Sequence, residues 1–342
     1  VRSRGLGDVY KRQVHQPSGS RYGTVTNVDG RYSIQGMRTG GPYRVEISYI
    51  GYQTVIYKDI TLQLGEVYNL NVEMSESSEL LNEVIVTAAK TKFTAEKTGA
   101  TTNISSAQMT QLPTVNRSIS DIARLSPYAN GMSFAGGDGR STNFTIDGAN
   151  FNNNFGLSSN LPGGGNPISM DAIEEVQVVV APFDVRQTNF IGGGINAITK
   201  SGTNTFRGTA YTYYRNQDMR GNRINGEDLG ARSDESKTTY GFTLGGPIIK
   251  NKLFFFVNYE KEKTPGEVIK YRAREDGEDA KGMVSRTLKS DMEKVYNHLK
   301  DKYGYDAGSY TNFPADEENT KLLARIDWNI TDRHRLSPVS YT

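Results

Sequence analysis

Four segments after Thr205 alternate apolar and polar residues so strictly that only extended chain can use the pattern. Phe206, Gly208, Ala210, Thr212 and Tyr214 hold one parity, and Arg207, Thr209, Tyr211, Tyr213 and Arg215 the other. Tyr240, Phe242 and Leu244 repeat the arrangement, and Leu253, Phe255, Val257 and Tyr259 oppose Asn258, Glu260 and Glu262. Leu322, Ala324, Ile326, Trp328 and Ile330 oppose Lys321, Arg325, Asp327 and Asn329. A period of two places each set on its own face of a strand. Each run is near the ~9–11 residues that a tilted strand needs to cross a bilayer, and the charges gather on one face, as a polar lumen requires.

The connections alternate as well. Asn216–Thr239 is long and polar, Lys250-Asn251 is a tight turn, and Lys263–Thr320 is very long. Long outer loops and short inner turns are the mark of an outer-membrane barrel. The last connection is expected to hold a helix with Val284, Leu288, Met292, Val295 and Leu299 on one side and Gly304 at its end. The four strands are expected as an antiparallel meander in chain order, open at both edges. Phe206, Tyr240, Phe242, Leu253, Phe255, Val257, Leu322, Ile326 and Trp328 are expected to share its apolar face.

Composition excludes other classes. A net charge of +2 with no basic block gives no ground for nucleic-acid binding. The absence of cysteine rules out disulfides and cysteine zinc sites. Mean hydropathy is −0.58 and no run reaches the length of a spanning helix. Alternating strands escape that average, so a membrane is not excluded.

Residues 103–204 read as a mixed α/β region. Ser105-Ser106 caps a short helix stopped by Pro113, and Ser118-x-x-Asp121 opens a second, Ile119–Leu125. Asn143–Ile146 is a strand closed by Asp147-Gly148. One helical turn at Ser169–Ile173 leads to a buried strand, Val176–Val180, and Gly192-Gly193-Gly194 precedes Ile195–Lys200. Both strands are apolar enough to be covered on two faces, so they belong in one sheet. Residues 14–75 read as short strands: Tyr22–Val28 with an Asp29-Gly30 turn, the return Arg31–Ile34, then Tyr43–Tyr49, Thr54–Tyr57 and Val67–Met74. Between the two regions, in the polar stretch 76–102, lies Leu-Asn-Glu-Val-Ile-Val-Thr-Ala at Leu81–Ala88. This β-branched segment is expected to lack a strand partner within the chain, and such an edge invites strand addition.

These modules resemble known families. Gly-x-Tyr-x-Ile after Asp-Gly, then Ile-Ser-Tyr-Ile-Gly-Tyr, resembles the carboxypeptidase-regulatory-like β-sandwich (Ig-like, of the carbohydrate-binding-like class), lacking its first strand. Ile-Asp-Gly, Ile-Glu-Glu-Val-Gln-Val and Gly-Gly-Gly-Ile-Asn-Ala-Ile-Thr-Lys-Ser-Gly resemble the plug of TonB-dependent outer-membrane receptors, and Leu81–Ala88 resembles their TonB box. The three-module order is similar to Oar-like receptors. It departs from the SusC-like pattern at Asn189–Gly194, which puts starch-like substrates in doubt.

The resemblance implies a multidomain chain: sandwich, α/β plug, then the first strands of a transmembrane β-barrel in the outer membrane, the sandwich lying in the periplasm. It implies that TonB pairs with Glu83, Val84, Ile85, Val86 and Thr87, driving uptake of an extracellular peptide or glycan past the plug. Outer-membrane lipid would surround the wall. Asn143, Asp147, Asn150, Asn152, Asn153, Asn154 and Asn160 are candidate ligand-facing loop residues, with plain solvation of a water-filled lumen the other reading. An adhesin or glycan-binding surface protein anchored by the barrel is the alternative function.

No enzyme, cofactor or metal is expected. His15, His298 and His334 are far apart, and Gly136-Gly137-Asp138-Gly139 lacks a following Gly-Lys-Ser/Thr. Asp147–Asn154 lacks an EF-hand's closing glutamate. Glu174 and Glu175 are neighbours on a strand and point to opposite faces. Val1 is no initiator, and Gly7–Gln13 and Pro338–Thr342 resemble translated sequencing adapters. The chain therefore reads as an internal fragment, with 1–13 and 337–342 set aside as foreign to the fold.

Overall fold

A computed structural model of the chain describes residues 10–76, 84–87, 100–112, 114, 116–152, 161, 166–180, 182, 187–188, 190–219, 221, 223–228, 236–265, 271–281, 284–308, 310, 316–331 and 334–342. They fall into two compact units. The first is Val1–Thr209 with Phe242–Tyr259 and Lys321–Thr342, and the second is Ala210–Gly241 with Glu260–Thr320.

The N-terminal domain of the first unit is one five-stranded sheet. Its strands are β1 (Tyr10–His15), β2 (Ser20–Val25), β3 (Gly40–Ser48), β4 (Val55–Leu62) and β5 (Val84–Thr87), in the order β2-β1-β3-β4-β5. Tyr43, Val45 and Ile47 are all buried, as their two-residue spacing requires. Two expected strands are not formed. Arg31–Ile34 and Val67–Met74 instead cover the sheet: Ile34, Met37, Leu70 and Val72 pack on its core, and Tyr32 donates to the Leu70 carbonyl at 2.7 Å. The first strand is not missing either. Tyr10–Gln13, set aside from sequence, supply most of β1 and pair with both β2 and β3. The gap between those strands would otherwise leave two ladders of unpaired backbone groups.

The middle domain is a second five-stranded sheet. It contains β6 (Ala100–Ser105), β9 (Asn143–Ile146), β10 (Ala149–Asn150), β11 (Ile173–Val180) and β12 (Gly193–Thr199), in the order β10-β9-β12-β11-β6, with the small hairpin β7 (Ala129–Asn130) and β8 (Ser133–Phe134) beside it. Helix α1 (Ser106–Gln111) begins where Gln108 accepts from the Ser105 amide, and α2 (Ile119–Ala123) where Ser118 accepts from the Asp121 amide. Val176, Val178, Ile195, Phe144 and Ile122 are buried in one core. As expected, β11 and β12 are neighbours in one sheet.

The wall sheet has the order β13-β16-β17-β20-β21, with β22 also on β20. Its strands are β13 (Arg207–Asn216), β16 (Ser236–Ile249), β17 (Leu253–Thr264), β20 (Glu317–Asn329), β21 (Arg335–Leu336) and β22 (Val339–Tyr341). The four expected strands therefore follow one another as a meander. The outer edge of β20 is not bare: it carries β21 and β22, drawn from the residues near the C-terminus. Alternation holds along β17 and β20. Phe254, Phe256, Asn258, Leu323 and Asp327 are buried, while Leu322, Ile326 and Trp328 are exposed.

In the second unit, β14 (Arg223–Ile224) and β15 (Glu227–Asp228) form a hairpin over Asn225-Gly226, both at positive φ. The short β18 (Arg272–Arg274) pairs in parallel with β19 (Val284–Leu288). Helix α3 spans Lys289–Tyr303, so Val284 and Leu288, expected within it, precede it as strand. It ends as expected at Gly304, whose φ of 61° lets the next amide, of Tyr305, bond the Leu299 carbonyl.

Candidate functional site

Strand β5 is not the free tether expected from sequence. Val84, Ile85, Val86 and Thr87 pair in parallel with Val55, Ile56, Tyr57 and Lys58 of β4. The segment lies at the edge of the sheet, not in its centre, and Val86 is 36% exposed. The physical reason is the outer edge of β4, which would otherwise present unpaired amides and carbonyls. Beyond β5 no further strand joins this sheet among the described residues. Glu83 lies outside the described residues.

Two residues past the end of β4, Leu64 is held by the middle sheet. Its amide donates to Glu175 at 3.1 Å, and its carbonyl accepts from Asn103 at 3.0 Å and Gln177 at 2.6 Å. Asn103 on β6 and Gln177 on β11 are register partners, and Glu175 lies on the same face two residues earlier. Burial pushes the Glu175 carboxyl up to about 7, opposed by the Leu64 amide and assisted by Glu66 and Glu174. Glu174 is also raised by burial, with Lys200 and Arg207 opposing. Sequence reasoning dismissed Glu174-Glu175 as a pair and passed over Glu175 and Gln177 together. The signal was there: two long polar side chains of one parity in an otherwise buried strand.

The candidate loop residues divide. Asp147, at φ 48°, begins the turn between β9 and β10 and accepts from the Thr199 amide and hydroxyl at 3.0 and 2.6 Å. The Arg325 guanidinium lies 3.5 Å from it and donates to the Thr199 hydroxyl at 2.9 Å. This turn therefore sits at the end of the sheet from which the chain leaves for the wall. Asn143 is buried, donating to the Thr188 carbonyl and accepting from Asn152, whose own oxygen accepts from the Phe144 amide. Those amides hold the hairpin. Asn150 is exposed. Asn143, Asp147 and Asn150 meet at a cavity of about 1470 Å³, also lined by Gln177, Asn196 and Arg207. Asn153, Asn154 and Asn160 lie outside the described residues.

The inner face of the wall meets this domain through charge. Asp327, fully buried, is held by Arg325 at 3.0 Å, by Arg38 of the N-terminal domain at 3.4 Å and by the Ser337 hydroxyl at 2.8 Å. His15 is buried against Tyr43, its ring bonded to Ser18 at 2.7 Å, and burial with Arg38 lowers it to about 4. Among the described residues no group of three or more histidines and carboxylates is placed to hold a metal ion.

Comparison with known proteins follows the same modules. A carboxypeptidase regulatory-like domain matches residues 13–75, and an outer membrane beta barrel domain matches residues 198–268. The chain is 25% identical, over 92% of its length, to the TonB-dependent transporter Oar of Myxococcus xanthus, and it spans 30% of that relative. Among solved structures it is similar to the siderophore receptor PirA from Pseudomonas aeruginosa. There the identity is 18%, coverage 72% of this chain and 34% of the receptor, and the TM-score 0.44. The outer membrane transporter YddB from Escherichia coli gives 15% identity, 70% and 32% coverage and a TM-score of 0.46. All three carry the name of a transporter or a receptor. The barrel match puts the wall in the outer membrane, where its alternation pointed.

Proposed function

We propose that the chain is part of a TonB-dependent outer-membrane transporter, with the middle sheet as the plug and β5 as the strand that TonB engages. Ligand binding above the plug, strand addition at β5 and inner-membrane energy together open a path through the barrel. Backbone pairing does this work without a catalytic residue. The N-terminal domain then lies in the periplasm, and the exposed parity of the wall, Phe242, Leu322, Ile326 and Trp328, meets lipid.

One observation carries the reading. A short β-branched strand, the last of its sheet among the described residues, stands in sequence between a regulatory-like domain and a plug-like sheet, and a membrane wall follows. Strand addition uses such an edge through main-chain bonds. The candidate ligand contacts are Asn150 and, after it in sequence, Asn153 and Asn154, and the ligand is a peptide or glycan.

The test is capture of the full-length receptor by the purified periplasmic domain of TonB. Ile85→Pro removes an amide donor and fixes φ, so capture and energised uptake should be lost while the receptor still assembles in the membrane. Undiminished capture by this variant would reject β5 as the engaged strand.

A further inference from the structure

Strand β4 carries two attachments. On its edge it holds β5 through four registered residues, Val55–Lys58 against Val84–Thr87. Beyond its end, both backbone polar groups of Leu64 are taken by Glu175, Gln177 and Asn103. Gly65 follows at φ 67°, and a Cβ there would meet the Gln177 amide at 2.6 Å, so the chain passes flush against that face. A buried carboxylate accepting an amide and two carboxamides donating to one carbonyl form a clasp. Nothing in the N-terminal domain's own sheet requires it.

We propose that β4 is the load path from the engaged strand to the plug. On this reading, which rests on β5 as the strand TonB engages, β5 stays on β4 when the partner strand adds to its other edge. The pull runs along β4 and enters the plug at the clasp, ahead of the covalent connection through residues 88–99. The point of entry has a mechanical consequence. Strand β6 is the outermost strand of the plug sheet and β11 its neighbour. Load delivered across that pair peels the sheet from its edge, breaking ladder bonds one after another. Load applied along an interior strand would have to break them together. The clasp thereby selects which strand leaves first, and the core side chains under β11, Val176 and Val178, stay covered until β6 has gone.

The experiment is force spectroscopy on the full-length receptor in bilayer nanodiscs, pulled through the tethered periplasmic domain of TonB. Two variants are compared with the parent. Asn103→Ala/Glu175→Ala/Gln177→Ala removes all three bonds to Leu64, which opens the clasp and leaves β5 untouched. Tyr57→Cys/Val86→Cys locks β5 to β4 across a registered pair, whose spacing suits a disulfide, in a sequence with no cysteine of its own. The parent and the oxidised lock should show the same plug-opening step. The clasp variant should be captured as often as the parent, yet open only at a longer extension, when residues 88–99 take the load. A parent-like trace from the clasp variant would overturn the proposal. So would an oxidised lock that abolishes the opening step with recovery on reduction, since β5 would then have to leave β4. Failure of the parent to be captured at all is a different result: it rejects β5 as the engaged strand, and the load path with it.

Discussion

Arg325 on the fourth wall strand lies 3.5 Å from Asp147, the first turn residue of the middle sheet's hairpin, and both contact Thr199. Asp147 serves three purposes there. It holds a left-handed φ, it takes the Thr199 amide and hydroxyl, and it faces a guanidinium. Asparagine tolerates that φ and keeps an acceptor, whereas alanine does neither well. Asp147→Ala should therefore cost about 2–3 kcal/mol and Asp147→Asn about 1 kcal/mol less than that, since breaking a partly buried pair strands the other charge. Hydrogen exchange at the Thr199 amide checks it, and equal protection in both variants would remove Asp147 from the joint.

The Glu175 carboxyl should give the middle domain a dependence on pH. Its pKa rises from the usual 4.5 to about 7, first through burial. Between those values the folded chain binds more protons than the unfolded one, so stability falls as pH rises through the window and levels off above it. The loss amounts to at most roughly 3–4 kcal/mol. Glu175→Gln keeps an acceptor for Leu64 without the charge, and its unfolding midpoint should be nearly the same at about pH 5 and about pH 8. A parent midpoint that stays level over that range would show the carboxyl to be solvated, and one that climbs would show the fold to favour its charged form.

Trp328 is the single tryptophan of the sequence and belongs to the exposed parity of β20. If that parity meets lipid, phosphatidylcholine with brominated acyl chains should quench its emission strongly in reconstituted protein. Aqueous iodide should quench it weakly. The reverse order would turn the wall inside out.

The wall was legible because a period of two survives any context: Leu322, Ile326 and Trp328 against Asp327 allow one reading only. The hairpin at Asp147-Gly148 and the caps at Ser105 and Ser118 were legible because each needs a particular residue at a particular place. Pairing between distant segments was not. Nothing in Val84–Thr87 names β4 as its neighbour, since a ladder is made by backbone that every residue shares. The first strand was missed for the related reason that Tyr10–Gln13 carry no apolar alternation, although their amides pair on both sides. Leu64 was invisible because its role lies in its main chain. The two covering segments were misread because Arg31–Ile34 and Val67–Met74 have strand-like residues but lay them over a sheet rather than beside one.

In the middle sheet, β9 and β12 run parallel as neighbours, with Gly194–Ala197 opposite Asn143–Ile146. Parallel neighbours cannot be joined by a hairpin, so the chain between them must cross over, and both ends of that crossover are pinned by the sheet. Closing a longer loop between fixed ends costs little, about 0.6 kcal/mol for each doubling of its length. Strand β11 lies within that crossover and is itself held by the sheet, so the length that can vary while every strand keeps its place belongs to the two connections on either side of it, and a longer connection there carries almost no thermodynamic penalty.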